Sequence, residues 1–392
     1  MSNPPALSSH TSVLPERPHI LYLVDQLTEL GGGERVLLTM VRSLPRDRFV
    51  CSLATFRSQV RKDELRDVLA SLRVYPLRRT YDWNALKTAL QLRAWIRANR
   101  VSIVHTFFET SDLWGGLVAK LSGVPVLVSS RRDMGILRLP KHRVAYRLMA
   151  PLYDRVLAVS EKVRQYCIRE DKLNPDKVTV LHNGIDLARV DAQSATEAAQ
   201  AWAQIDPDAP VIATVAHIRH VKGIDVLVRA AALVCHEVPR AQFCVIGRVL
   251  EEDCFRALQG LIRKLGVEKN VRFLGGSPDV IPLLKLSQIF CLLSRSEGFS
   301  NAIIEAMACR LPCVVTRVGG NDEAVHEGVS GFLVEPESAE AAAARLLTLL
   351  RQPELARKMG DAGRRTAEER FTLQGMIEQL AAIYQDLLQS CR

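Results

Sequence analysis

Residues 288–316, QIFCLLSRSEGFSNAIIEAMACRLPCVVT, read as strand, turn, helix and strand in succession. The apolar run ends near Ser294, RSEGFS turns at Gly298, and Ser300 or Asn301 can cap a helix over AIIEAMA before PCVVT returns as a strand. One residue breaks the helix pattern. Glu305 stands between Ile304 and Ala306, so its carboxylate is partly desolvated, and a buried carboxylate needs partners. Two hydroxyls of a polyol would satisfy it together, while the free amides of GFSNA would draw a phosphate to the helix N-terminus. Sugar hydroxyls with phosphate mean a nucleotide or nucleotide sugar; an internal salt bridge to a nearby arginine would also satisfy Glu305.

The same unit recurs on both sides. HILYLVDQL (19–27) is an apolar strand followed by a glycine loop that opens a helix, GGGERVLLTMVRSL (31–44). Further strands are expected over 49–56, 102–107, 124–130, 154–160 and 177–186, with helices over 83–100 and 114–123. A second series has strands over 210–218, 241–247, 271–275, 288–294, 312–316 and 331–336. Strands alternating with helices give a parallel sheet covered on both faces, and ligands of such sheets sit beyond the carboxyl ends of the strands. The expected class is therefore α/β, with two Rossmann-like doubly wound domains facing a cleft. The divisions are a disordered tail (1–17), a first domain (18–190), an Ala/Gln/Asp-rich linker (191–209), a second domain (210–370) and a C-terminal helix (371–392) that would cross back to the first domain.

Length and composition limit the alternatives. A chain of 392 residues exceeds what one core usually serves, and 48% hydrophobic with 24% charged residues is a globular composition. The longest apolar stretches fall far short of the roughly 20 residues that span a bilayer, and the first seventeen residues lack a secretion signal's apolar core, so a cytoplasmic protein is expected. Nine cysteines form no CxxC and no paired metal spacing, which argues against structural zinc. Charge is uneven: residues 1–190 hold 30 Lys+Arg against 18 Asp+Glu, and the remainder 22 against 25. The basic half suits an anionic partner, either a membrane surface, a phosphorylated acceptor or nucleic acid. Nucleic acid fits poorly, because aromatic residues are only 6% and no nucleic-acid module is present.

Glu297 and Glu305, eight positions apart, with the surrounding 279–325, resemble the Glu-x7-Glu motif of the retaining glycosyltransferases of family 4, which have the GT-B fold. VTVLHNGID (178–186), VAHIRHVKGIDVLVRA (215–230), VRFLGGSPDV (271–280) and GGGERVL (31–37) are similar to that family in order and spacing. The resemblance implies a hexosyltransferase using a UDP- or GDP-sugar and no cofactor or bound metal. By it, Glu305 accepts from the donor ribose hydroxyls, Glu297 contacts the transferred sugar, and Lys222 meets the diphosphate, where a flexible cation stabilises the departing charge. Gly298, Phe299, Ser300, Asn301 and Ala302 would form the donor loop, and Gly32 and Gly33 would bring backbone amides to the diphosphate. Taken alone, Lys222 is an ordinary lysine after a strand and the glycine loop only a turn.

Two departures bear on the site. Where the family carries Arg in a GRLxxxKG pattern this chain has His217, so the second phosphate cation would be a neutral His217 donating one hydrogen bond, or Arg219 turned inward. Where many members have a histidine after the strand over 124–130, this chain has Arg131 and Arg132; an arginine cannot act as base, and Arg131 would suit a phosphorylated or acidic acceptor or support the leaving group, or be one of a surface pair. His105, at the end of its expected strand, is either near the acceptor or a core histidine. The resemblance, with the basic first half of the chain, implies transfer to a glycan or polyprenyl-linked acceptor in cell-surface polysaccharide synthesis, at the inner face of the plasma membrane. Residues 135–148 and the helix with Arg93, Arg97 and Arg100 mix basic with apolar residues and are candidates for peripheral contact with anionic lipid. A soluble small-molecule acceptor and a non-catalytic nucleotide-sugar-binding module are the alternatives.

Overall fold

The structure, a computed structural model, describes residues 17–27, 31–57, 65, 67, 69–135, 138–195, 206 and 208–391. The tail over 1–16 and the middle of the expected linker lie outside the described residues. One sheet contains β1 (His19–Val24), β2 (Val50–Thr55), β3 (Ser71–Val74), β4 (Ile103–Phe107), β5 (Val126–Arg131), β6 (Arg155–Ala158) and β7 (Val178–Val180) in the order β3-β2-β1-β4-β5-β6-β7. The other contains β8 (Val211–Val215), β9 (Gln242–Ile246), β10 (Val271–Phe273), β11 (Ile289–Leu292), β12 (Cys313–Thr316) and β13 (Gly331–Val334) in the order β10-β9-β8-β11-β12-β13. The pairs β1–β2, β1–β4, β8–β9, β8–β11 and β11–β12 are parallel. In each sheet the order reverses at one place, between β1 and β4 and again between β8 and β11, so loops leaving those strands diverge and leave room for a ligand.

Every strand expected from the apolar runs is present. The addition is β3, SLRV, a half-exposed edge strand whose arginine hides the alternation that would have marked it. The chain divides into two compact units, Met1–Val128 with Leu387–Arg392, and Ser129–Asp386.

The stretch that opened the sequence reading shows how the local chemistry sets the boundaries. All four residues of β11 are buried, as a strand covered on both faces requires. The helix Asn301–Ala308 starts after extended Ser300 and buries Ala302, Ile303, Ile304, Ala306, Met307 and Ala308. It stops because Arg310 takes φ +59° and lets the Leu311 amide close onto the Ala306 carbonyl at 3.0 Å, after which Pro312 forbids another turn. Within the larger unit, Ser160 caps the helix Glu161–Glu170 and its hydroxyl also donates to the Gly298 carbonyl at 2.8 Å. The C-terminal helix Leu373–Ser390 meets the same region, Gln379 donating to the Val180 carbonyl at 3.1 Å and Asp386 lying 3.4 Å from Arg155.

Candidate active site

The site grows from the carboxyl ends of β8 and β11. After β8 the chain passes through His217 and Arg219 into a tight turn, His220–Lys222, closed by Gly223 at φ +60°. A Cβ on Gly223 would stand 2.0 Å from the Leu293 carbonyl oxygen, so only glycine lets this turn lie against the end of β11. The Arg295 amide donates to the Val221 carbonyl at 2.8 Å and fastens the two loops together. The Lys222 ammonium thereby reaches Glu297: Nζ to Oε1 is 2.7 Å, and the same oxygen accepts from the Ser294 hydroxyl at 2.6 Å. Glu297 is nearly buried, its side chain 9% exposed against 25% for Lys222, so the bond is desolvated chiefly at its carboxylate end.

Arg295 braces this arrangement and was not singled out in the sequence. Its guanidinium makes a two-pronged bond to Asp225 at 2.9 and 2.8 Å, donates to the His220 carbonyl at 2.6 Å and pairs with Glu337. The hydrogen bonds it donates to Asp225 outweigh desolvation and raise the arginine's pKa above its ordinary value. Its partner shows the converse: burial opposes ionisation of Asp225, but the bonds from Arg295 win and hold its carboxyl below the usual range. A serine-arginine-serine turn gives no sequence signal that the arginine points back into the protein.

The loop from Glu297 to Asn301 is held tightly on its other side. A Cβ at Gly298 would lie 2.1 Å from the Arg132 carbonyl oxygen, and one at Gly319, itself at φ +53°, 1.9 Å from the Glu297 carbonyl oxygen. Phe299 is buried with its ring 5.1 Å from that of His182 and 5.3 Å from that of Phe371. Ser300 is the N-cap without a side-chain capping bond, and Ala302 is buried. Asn301 accepts at Oδ1 from the Asn183 amide, and Asn183 accepts in turn from Arg132. Glu305 is half-buried one turn along the same helix.

The two candidates for a second phosphate cation have other engagements. His217 Nδ1 accepts from the Arg248 amide at 3.1 Å, which leaves Nε2 as the protonated nitrogen of the neutral ring. Arg219 Nε lies 3.2 Å from Glu251, whose other oxygen accepts from the His220 amide at 2.8 Å. Those bonds, led by the His220 amide, hold the Glu251 carboxyl below its ordinary range.

Two expected residues are corrected by their burial. Arg131 is 2% exposed, lies 4.0 Å from the buried Asp171, and stacks on Tyr146 and Tyr153 at 4.1 and 5.1 Å. It is a core cation and not one of a surface pair; its neighbour Arg132 turns the other way, to Asn183, as alternation along an extended chain requires. His105 is not at the end of β4 but in its middle, fully buried between the rings of Tyr22 at 5.5 Å and Phe107 at 4.7 Å. The residue that does follow β4 is Phe108, at φ +70°, a conformation rare for an aromatic side chain. The far end of its ring is 2.8 Å from where a Cβ on Gly33 would stand, so the ring would have to shift for any other residue there, and Gly32 begins the helix Gly32–Ser43. Gly32, Gly33 and His105, with Tyr22, Phe107 and Phe108, belong to the smaller unit; Lys222, Glu297, Glu305 and Arg131 belong to the larger.

Comparison with known proteins identifies the fold and the family. Anabaena Alr3699/HepE, solved with UDP-glucose, matches with a TM-score of 0.81 at 22% identity over 94% of this chain and 99% of that one, so the fold is that of the GT-B glycosyltransferases. Residues 30–189 match the model of glycosyltransferase family 4 and residues 196–366 that of the glycosyl transferases group 1; the chain belongs to this family of glycosyltransferases. Bacillus anthracis N-acetyl-alpha-D-glucosaminyl L-malate synthase is 32% identical over 235 residues, which is 60% of each chain. The Escherichia coli UDP-Gal:alpha-D-GlcNAc-diphosphoundecaprenol alpha-1,3-galactosyltransferase is 26% identical over 317 residues, 78% of this chain and 81% of that one.

Proposed function

We propose that the protein is a retaining hexosyltransferase that moves a sugar from a UDP- or GDP-linked donor to a glycan or polyprenyl-linked acceptor of cell-surface polysaccharide synthesis. The observation that carries the reading is the desolvated bond between Lys222 and Glu297 at the carboxyl ends of β8 and β11, with Glu305 one turn into the adjoining helix. In the free protein the two charges satisfy each other. A donor would part them: its diphosphate takes the Lys222 ammonium, and hydroxyls of its sugar take the Glu297 carboxylate. Glu305 accepts from the ribose hydroxyls.

During transfer the bond from the anomeric carbon to the diphosphate breaks and the nucleoside diphosphate leaves. The acceptor oxygen bonds to the same face of the sugar, and its proton passes to the departing phosphate oxygen. Lys222 and the loop amides stabilise the charge that develops there, the part a divalent ion plays in other transferases. No resident metal or other cofactor is required. The named substrates of the relatives favour the reading, a UDP-linked sugar and a diphosphoundecaprenol-linked acceptor for the E. coli enzyme.

A lipid-linked acceptor calls for a membrane-facing surface. The helix Pro140–Met149 and the residue before it expose Leu139, Val144 and Leu148 at 52, 55 and 74%, with Lys141, Arg143 and Arg147 also exposed. Apolar and basic residues on one exposed helix suit anionic headgroups, at the inner face of the plasma membrane.

The test is a panel of nucleotide sugars assayed for thermal stabilisation and slow donor hydrolysis, on wild type, Glu305→Ala and Lys222→Ala. One donor should stabilise and be hydrolysed by the wild type alone. A donor that binds but is never cleaved, even with lipid extract present, would leave a binding module; no binding by any donor would refute the reading of Glu297 and Glu305.

A further inference from the structure

The cations around the donor loop are matched one by one. Lys222 has Glu297, Arg219 has Glu251, and Arg295 has Asp225 and Glu337. Arg132 differs. It is half-buried where β5 ends, its backbone carbonyl lies against Gly298, and its guanidinium makes one hydrogen bond, to the amide oxygen of Asn183. Among the described residues no carboxylate pairs with it. Asn183 is 2% exposed and bonds onward to Asn301, the first residue of the helix Asn301–Ala308, so the polar groups beside the arginine are neutral. Desolvation accordingly pulls the pKa of Arg132 down to about 10.

A desolvated cation without a counter-charge is costly to a folded protein unless something supplies the anion. An arginine carries five N–H donors in a planar fork, and Asn183 occupies one direction only. The helix N-terminus adjoining Asn301 adds positive potential at the same place, so the ligand expected there is an oxyanion with several acceptor oxygens. A neutral sugar hydroxyl would not repay the desolvation.

We propose that Arg132 binds a phosphate group of the ligand beside the Gly298–Asn301 loop. The inference rests on the transferase reading and sharpens it: the phosphate is either that of the leaving nucleotide or one carried by the acceptor. A lipid diphosphate acceptor satisfies the second case and an uncharged glycan does not.

The experiment is calorimetric titration of the full chain, as wild type, Arg132→Gln and Arg132→Lys, with inorganic pyrophosphate, UDP and uridine, and with inorganic phosphate added to the UDP-saturated protein. Removing one charged hydrogen-bonding group should weaken the phosphate ligand at least about tenfold. If Arg132→Gln weakens pyrophosphate and UDP but not uridine, and Arg132→Lys recovers part of the loss, the arginine holds the leaving group. If UDP binds unchanged but phosphate binding to the UDP complex is lost, it holds the acceptor's phosphate. Unchanged binding of all phosphate probes overturns the proposal, as does an equal loss for uridine, which would mean that Arg132 only positions the loop.

Melting of the unliganded proteins gives an independent reading. Losing an uncompensated charge should not lower the melting temperature of Arg132→Gln, whereas a purely structural role predicts a fall and counts against the proposal. A wild type that binds pyrophosphate through Arg132 but no nucleotide sugar would sink the transferase reading and leave this one standing.

Discussion

Gly223→Ala tests the close approach that sets the position of Lys222. Gly223 is at φ +60°, and the added Cβ would fall 2.0 Å from the Leu293 carbonyl oxygen and 3.0 Å from its carbon, both backbone atoms that cannot swing aside. The left-handed conformation alone costs a non-glycine residue about 1–2 kcal/mol. Forcing apart packed backbone adds about 1–3 kcal/mol. Gly266→Ala separates the two, since Gly266 sits at φ +68° at the end of the helix Glu252–Leu265 with nothing within 4 Å of the added methyl. Gly266→Ala should show the dihedral cost only. The difference between the variants is the contact cost, which corresponds to roughly 2–6 °C in melting temperature for a unit spanning Ser129–Asp386. Scanning fluorimetry reads the melting, and hydrolysis of the stabilising donor reads the site. Displacing the Lys222 turn by even about 1 Å should cut turnover as much as about a hundredfold, while Gly266→Ala should leave it intact. Equal melting of the two variants together with wild-type turnover in Gly223→Ala would refute the reasoning that this glycine places the lysine.

Arg295→Met removes the two-pronged bond to Asp225 and the bond to the His220 carbonyl; a loss of about 1–3 kcal/mol is expected, with the transition read in urea, and turnover should fall with it because the Lys222 turn loses its brace. Glu323 governs acid stability: burial opposes its ionisation, but bonds from His182 and the Glu161 amide outweigh this and hold its carboxyl below the ordinary 4.5. A depressed carboxyl stabilises the fold above its unfolded pKa and loses that stabilisation as pH falls through the lower folded value, so Glu323→Gln should flatten the fall in melting temperature below about pH 4.5, and an unchanged acid limb would contradict the assignment. Leu148→Glu, at a position 74% exposed, should leave donor hydrolysis unchanged and reduce sedimentation with anionic vesicles; wild-type protein that stays in the supernatant would remove the membrane surface from the proposal.

The strands were legible because their apolar runs are short, separated by turn residues and buried on both faces, so period and length pointed the same way. The edge strand SLRV escaped because an edge needs no continuous apolar character. Glu305 was legible as a chemically odd residue within an apolar helix, whereas Glu297 and Lys222 drew notice only through the family resemblance. Arg131 was misread, and His105 was left open between acceptor and core, for one reason: a sequence reveals which residue types could act, but not which side of a buried strand each faces. One position of register separates Arg131, stacked on tyrosines, from Arg132, directed to Asn183. Arg295 was invisible because its partners Asp225 and Glu337 lie 70 and 42 positions away.

The way Glu323 is used bears on how such proteins can be recombined. Its carboxylate receives the Glu161 amide and the His182 ring at 2.8 Å each, while Lys162 reaches Asp322 at 2.8 Å and Ser160 reaches the Gly298 carbonyl. Residues 160–183 are therefore fitted to the loops 298–323 by bonds that depend on particular side chains and on one glycine without a Cβ. A hybrid joined within 191–209, taking everything before it from another transferase, would put foreign side chains opposite those loops. A hybrid joined just before β5 (Val126–Arg131) would keep the matched set together, and is the better starting point for exchanging the first third of the chain.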